Sequence, residues 1–302
     1  MAIIMDREIR VVKSVEGQSV YDSGMPQAKR IALKNAQNGG YVASLPQILH
    51  SRVVSPANSE IWQNWFTANS EENIGRTAQG NPVVIAVHGT GLWTPDRIQE
   101  AYDEGLTPNY AGKLDTTSHP HEMRDLLNGK LADGTIIPVY SLTDFMKGIS
   151  DLPMQYTVIM DFDQVKNLES GVQKTGKLRQ NPLFIVRAGG AEAANEYLDK
   201  AEQVYERKEL GNWHPFANSD PDQPQGRVPF AGDYCNSGLL GANSLSSIGR
   251  FVWVAPNTPS AQKNAERATV QPTMEQILAA SAKYVPEINQ ESYRQEINSL
   301  YT

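Results

Sequence analysis

The segment His88-Gly89-Thr90-Gly91 joins an apolar run, Val83-Val84-Ile85-Ala86-Val87, to a helix opened by Thr94-Pro95. An unbroken apolar run reads as a strand covered on both faces, and the ends of such strands are where α/β proteins hold ligands. Two glycines let backbone N–H groups come close to a ligand, and the His88 imidazole supplies a donor or a base. Asp96, in the first turn of the following helix, suits the helix dipole but repels a phosphate there. Neither a G-x-G-x-x-G nor a Walker loop occurs, so the turn is not a phosphate cradle of those kinds.

Other residues could also carry chemistry. Arg187-Ala188-Gly189-Gly190 follows an apolar run at Leu183–Val186 and reads as a second ligand turn, with Arg187 able to clamp a carboxylate or phosphate. Arg187 is equally suited to pairing with an acid such as Glu192 or Asp163. Asp161 and Asp163, two residues apart, can share one side of a strand and a divalent cation, although an Asp at a helix N-cap explains Asp163 more simply. His119-Pro120-His121-Glu122 is a compact cluster, but a helix beginning at Pro120 points the two rings apart, and no metal is expected. Cys235, the single cysteine, excludes an intrachain disulfide. The serines near 237 and 244 lack the glycine pattern of a nucleophile elbow, and the last histidine, His214, precedes both, which rules out a standard α/β-hydrolase order.

His88-Gly89-Thr90, the helix after it and Glu104-Gly105-Leu106 together resemble the opening motif of the ADP-ribosyltransferase superfamily. That resemblance implies NAD as cofactor, with His88, Gly89 and Thr90 holding the nicotinamide ribose and amide; Gly91 in the same turn and Arg187 in the second turn are further candidate cofactor-binding residues. It also implies a catalytic pair, His88 and Tyr140, the tyrosine covering the nicotinamide from a later strand. The Glu that orients the ribose in that family has no counterpart introducing a late strand.

These residues need a scaffold, and the pattern supplies α/β units: a central mixed or mostly parallel sheet flanked by helices. Strands are expected at Ile9–Val12, Val83–Val87, Ile136–Tyr140, Tyr156–Phe162, Leu183–Val186 and Phe251–Val254. Helices are expected at 25–35, 45–53, 95–104, 118–128, 142–149, 191–208, 273–284 and 291–300. Trp62, Trp65 and Phe66 fall at i, i+3 and i+4 and read as one helical face. Residues 211–249, rich in Gly, Pro, Asn, Asp and Ser, read as a long irregular loop of the kind that binds or closes. Residues 1–80 form an N-terminal helical and strand subdomain in this reading, and 81–302 an α/β core with C-terminal helices, unless both make one domain.

Composition bounds the rest. With 34 acids against 27 bases the net charge is −7, which disfavours a nonspecific grip on nucleic acid. No apolar run approaches the ~18 residues of a membrane span, and Met1–Val12 lacks the apolar core of a secretory signal, so a soluble, cytoplasmic protein is expected. Three functions follow. The first is an NAD-binding transferase or glycohydrolase taking a nucleotide small molecule. The second is a non-enzymatic structural or interaction protein of a larger assembly, with a protein partner or self-assembly through exposed aromatics among Trp62, Trp65, Phe66 and Trp213. The third is a metal-dependent enzyme using His88, His119, His121 and an acid.

Overall fold

The computed structural model describes residues 3–4, 10–12, 19–22, 24–36, 40–232, 238–241, 245 and 248–254. Cys235 and the helices expected at 273–284 and 291–300 lie outside them. The first elements are β1 (Ile3–Ile4), β2 (Arg10–Val12), β3 (Ser19–Asp22), α1 (Met25–Asn35), β4 (Tyr41–Val42) and α2 (Leu45–Val54). Next come α3 (Glu60–Gln63), β5 (Phe66–Thr67), β6 (Ser70–Arg76), β7 (Pro82–His88), α4 (Pro95–Glu104) and β8 (Gly112–Lys113). They are followed by α5 (Glu122–Leu127), β9 (Val139–Ser141), α6 (Leu142–Met146), β10 (Tyr156–Asp161), α7 (Phe162–Lys166) and β11 (Gly171–Lys174). The remainder is α8 (Thr175–Leu178), α9 (Pro182–Ala188), α10 (Ala191–Tyr205), β12 (Glu209–Trp213), β13 (Gln225–Arg227), β14 (Phe230–Ala231), β15 (Gly238–Leu240) and β16 (Gly249–Val254).

The fold is mixed α/β, and its sheets are mixed. A six-stranded sheet runs β8-β13-β6-β7-β10-β9, and a five-stranded sheet runs β11-β12-β15-β14-β5. Parallel pairing is confined to β10 with β9 and β12 with β15; every other described pair is antiparallel. Of the two expected alternatives, mixed or mostly parallel, the sheets are mixed. The basis of the parallel alternative was the unbroken apolar run of β7, which does mean burial on both faces, but in an antiparallel setting. Val83, Ile85 and Val87 pack with α1, α4 and α5, while Val84 and Ala86 pack against β10, α6 and α7.

Capping fixes several helix starts where the sequence puts them. Thr94 Oγ1 accepts from Arg97 N at the head of α4, with Pro95 in the first turn and Gly105 at the end. Three expectations fail for one physical reason, the local pattern being overruled by packing. Leu183–Val186 is not a strand but part of α9, capped by Asn181. Its Leu183 and Val186 face the layer under β10, while Phe184 and Ile185 face α2 and α10, so a helix buried all round looks apolar throughout. Trp62, Trp65 and Phe66 share no helical face, because α3 ends at Gln63 and Phe66 belongs to β5. The described residues of 211–249 are not one irregular loop: they contribute to β12, β13, β14 and β15, three of them in the five-stranded sheet.

Candidate functional site

The His88 turn is built from β6, whose sequence Ser-Glu-Glu-Asn-Ile-Gly-Arg reads as a loop and yet is buried from Ser70 to Gly75. Its polar side chains are satisfied in two directions. On one face Glu71 accepts from Leu92 N at 2.9 Å and Trp93 N at 2.5 Å. Gly91, at φ +157°, has no room for a side chain, because a Cβ there would overlap the Glu71 carboxylate. Gly89 N donates to the Asn69 carbonyl at 2.9 Å. The backbone donors after the glycine turn, Leu92 N and Trp93 N, are taken by an internal carboxylate. Burial pushes the Glu71 carboxyl above its ordinary range, opposed by the Lys29 charge and by the two N–H groups. Lys29, itself shifted down by burial, donates to the Trp93 carbonyl at 2.6 Å.

His88 is buried. Its Nδ1 lies 2.9 Å from Ser70 Oγ, which also accepts from Leu45 N at 3.0 Å. Burial first, with the Arg187 charge adding, lowers its pKa to about 3, and the Val186 carbonyl offsets this only in part. The ring is therefore neutral. It packs on Tyr156 with centroids 4.9 Å apart, and Tyr156 in turn meets Tyr140 at 6.3 Å and Phe145 at 5.8 Å. His88 and Tyr140 therefore belong to one aromatic group, joined through Tyr156, which fills the space between them. Gly89 and Thr90 complete the turn, Thr90 half-buried.

Arg187 lies inside α9 rather than in a turn after a strand, and the acid it meets is neither Glu192 nor Asp163. Its guanidinium grips Glu72 in a fork of 2.6 and 2.8 Å and donates to Asn212 Oδ1 at 2.6 Å, all buried. Arg227, cross-strand from Glu72, donates to the Asn109 carbonyl at 2.6 Å. Burial lowers Arg227 to about 10 against the pull of Glu72, and it lowers nearby His214 to about 4. The other candidates are dispersed. His119 meets Glu100 at 2.7 Å, His121 is the N-cap of α5 at φ 115°, and Asp161, not Asp163, caps α7. Asp163 pairs with Lys166. Among the described residues no group of three or more His, Cys, Asp or Glu converges as a metal site.

A different surface emerges on the five-stranded sheet. Leu210, Leu239, Ala231 and Phe66 turn inward to α2, α9 and α10. Alternation sends Trp213, Leu240 and Phe230 outward, register neighbours across β12, β15 and β14. Trp213 is 41% exposed, Val172 on β11 57%, and Tyr21 on β3 54%. Trp65 meets Phe230 at 6.3 Å and Tyr21 at 6.2 Å, edge on, and Arg250 lies 5.3 Å over Tyr21 and 5.2 Å over Trp65. Trp65 and Trp213 are on this face as candidate exposed aromatics; Trp62 and Phe66 are in the core. The sequence does not single out Tyr21, Val172 and Phe230, because alternation is hidden in strands of two to four residues, nor Arg250, which precedes the apolar run of β16.

No family model matches the sequence, and no curated protein does. Among solved structures the chain is similar to a Nanoarchaeota protein whose C-type lectin fold accommodates massive sequence variation. The TM-score is 0.59 at 28% identity, over 79% of this chain and 99% of that one. This likeness overturns the ADP-ribosyltransferase reading, and with it the NAD-using transferase or glycohydrolase. His88-Gly89-Thr90 is a short motif that arises wherever a buried strand ends in a glycine turn. Among the described residues no helix is long and apolar enough to cross a membrane.

Proposed function

We propose that this chain is a non-enzymatic interaction protein that binds a protein partner through the outer face of its five-stranded sheet. The observation that carries the proposal is the division of labour within that sheet. Its inner face holds the core, while its outer face shows solvent an aromatic and aliphatic strip, Tyr21, Trp65, Phe230, Trp213 and Val172, with Arg250 laid across it. Trp, Tyr and Arg are the side chains that dominate protein recognition sites. Likeness to a lectin-fold protein that accommodates massive sequence variation supports the reading. Such a scaffold is stabilised from within, so its outward residues are free to serve recognition.

A photocrosslinking residue placed at Val172 should capture one protein reproducibly, and the same residue at exposed Glu196 on α10 should not. Trp213→Ala should then weaken binding of the purified partner by about 2 kcal/mol, or roughly thirtyfold. Equal capture at both positions overturns the proposal. So does binding to immobilised glycans that Trp213→Ala abolishes in the absence of any protein partner.

A further inference from the structure

The Gly189-Gly190 turn lines a cleft that the sheet-face reading leaves unused. The cleft has a volume of about 120 Å³ and lies between α2, the 150–154 loop and the joint of α9 with α10. Pro46, Leu152, Pro153, Met154 and Ala188 give it apolar walls. Two independent features supply donors. The first is the head of α10, a fifteen-residue helix that starts at Gly190 with no side-chain cap and lines the cleft through Ala193. The first-turn N–H groups of a helix have no acceptor within it and carry its positive dipole end. The second is Tyr156, which also lines the cleft, is 2% exposed, and has a hydroxyl with no hydrogen-bond partner among the described residues. That hydroxyl lies 3.6 Å from where a Cβ on Gly189 would stand, which sets it beside the glycine turn. A buried hydroxyl without a partner costs stability and calls for an acceptor.

We propose that this cleft binds a small ligand through a carboxylate, held by the head of α10 and the Tyr156 hydroxyl, with its apolar part against Pro46, Leu152 and Met154. A carboxylate fits better than a phosphate. Among the described residues no Lys or Arg lines the cleft, so a dianion would lack the charged forks it normally needs. One charge suits a helix terminus and a neutral hydroxyl. Burial raises the Tyr156 pKa, so the phenol remains a donor at neutral pH.

The test is titration of the full chain with acetate, propionate and lactate, read by backbone amide NMR shifts and by thermal unfolding, with chloride and phosphate in parallel. Carboxylates should shift the amides of 189–193 saturably and raise Tm, and chloride should do neither. Tyr156→Phe removes the unpaired hydroxyl without changing shape, so the free protein should be as stable as the parent or more so. Its carboxylate affinity should nevertheless fall about tenfold. Ala193→Leu, which fills the cleft from α10, should abolish the shifts in a protein that still folds. Shifts spread over the surface, shifts matched by chloride, or affinity unchanged in Tyr156→Phe and Ala193→Leu overturn the assignment. So does preference for phosphate.

Discussion

His88 shows how one buried imidazole ties stability to pH. Its pKa falls to about 3 in the folded chain from an ordinary value near 6.5, chiefly through burial. Below ~6.5 the unfolded chain takes up a proton that the folded chain refuses, so the folded state loses stability as pH falls. His214, lowered to about 4, acts with the same sign. At 1.4 kcal/mol per pH unit, His88 alone costs about 2 kcal/mol between pH 6.5 and pH 5. Urea unfolding across that range should show this slope, and His88→Gln should flatten it by about half or more. An identical acid limb in the variant would mean that His88 titrates normally. The sequence singles out His88 by its place at the end of an apolar run. It does not show that Ser70 Oγ meets the His88 ring, because Ser70 sits on a strand that looks like a loop.

That strand, β6, is where most of the unread structure originates. Four polar residues in succession, Ser70 to Asn73, suggest solvent, and yet all are buried between β7 and β13. Such a strand is tolerable only because each face meets a prepared set of partners: Lys29 and the 92–93 amides for Glu71, Arg187 for Glu72, and Trp93 Nε1 at 3.0 Å for Asn73. Local pattern cannot reveal this, since the partners are more than a hundred residues away in the case of Arg187. The same limit hides β12 to β15, whose short lengths and glycines suppress any period. Regular elements with a strong cap or full apolar run, such as α4, β7 and β10, are legible for the converse reason. The Glu72–Arg187 fork gives the second prediction. Glu72→Leu and Arg187→Met should each cost about 3–5 kcal/mol, because each leaves a charge buried without its partner. The double variant should cost far less than their sum, as measured by a denaturant double-mutant cycle. Additive losses would mean that the two side chains act independently, contrary to the 2.6 and 2.8 Å contacts.

Across the whole molecule, the two large sheets are joined by that fork: Glu72 belongs to the six-stranded sheet, Asn212 to the five-stranded one, and Arg187 holds both from α9 between them. Residues before position 81 are woven into each layer. β5 closes one end of the five-stranded sheet, β6 pairs along all seven residues of β7, and α2 packs on α9 and α10. Cutting the chain at 81 would therefore expose the backbone edge of β7 and strip α9 and α10 of the α2 surface. It would also leave Arg187 and Arg227 buried without the Glu72 carboxylate. We predict that a fragment starting at residue 81 does not fold alone, whereas the full chain unfolds in one cooperative transition that reports equally from Trp93 and Trp62, which lie in different packing layers. Circular dichroism and amide hydrogen exchange decide the matter. Protected amides on β7 and β10 in the isolated fragment would show that the later residues hold a stable sheet without β6. Exchange as fast as in an unfolded peptide would show that both sheets depend on the elements before residue 81, the inconspicuous polar strand β6 among them.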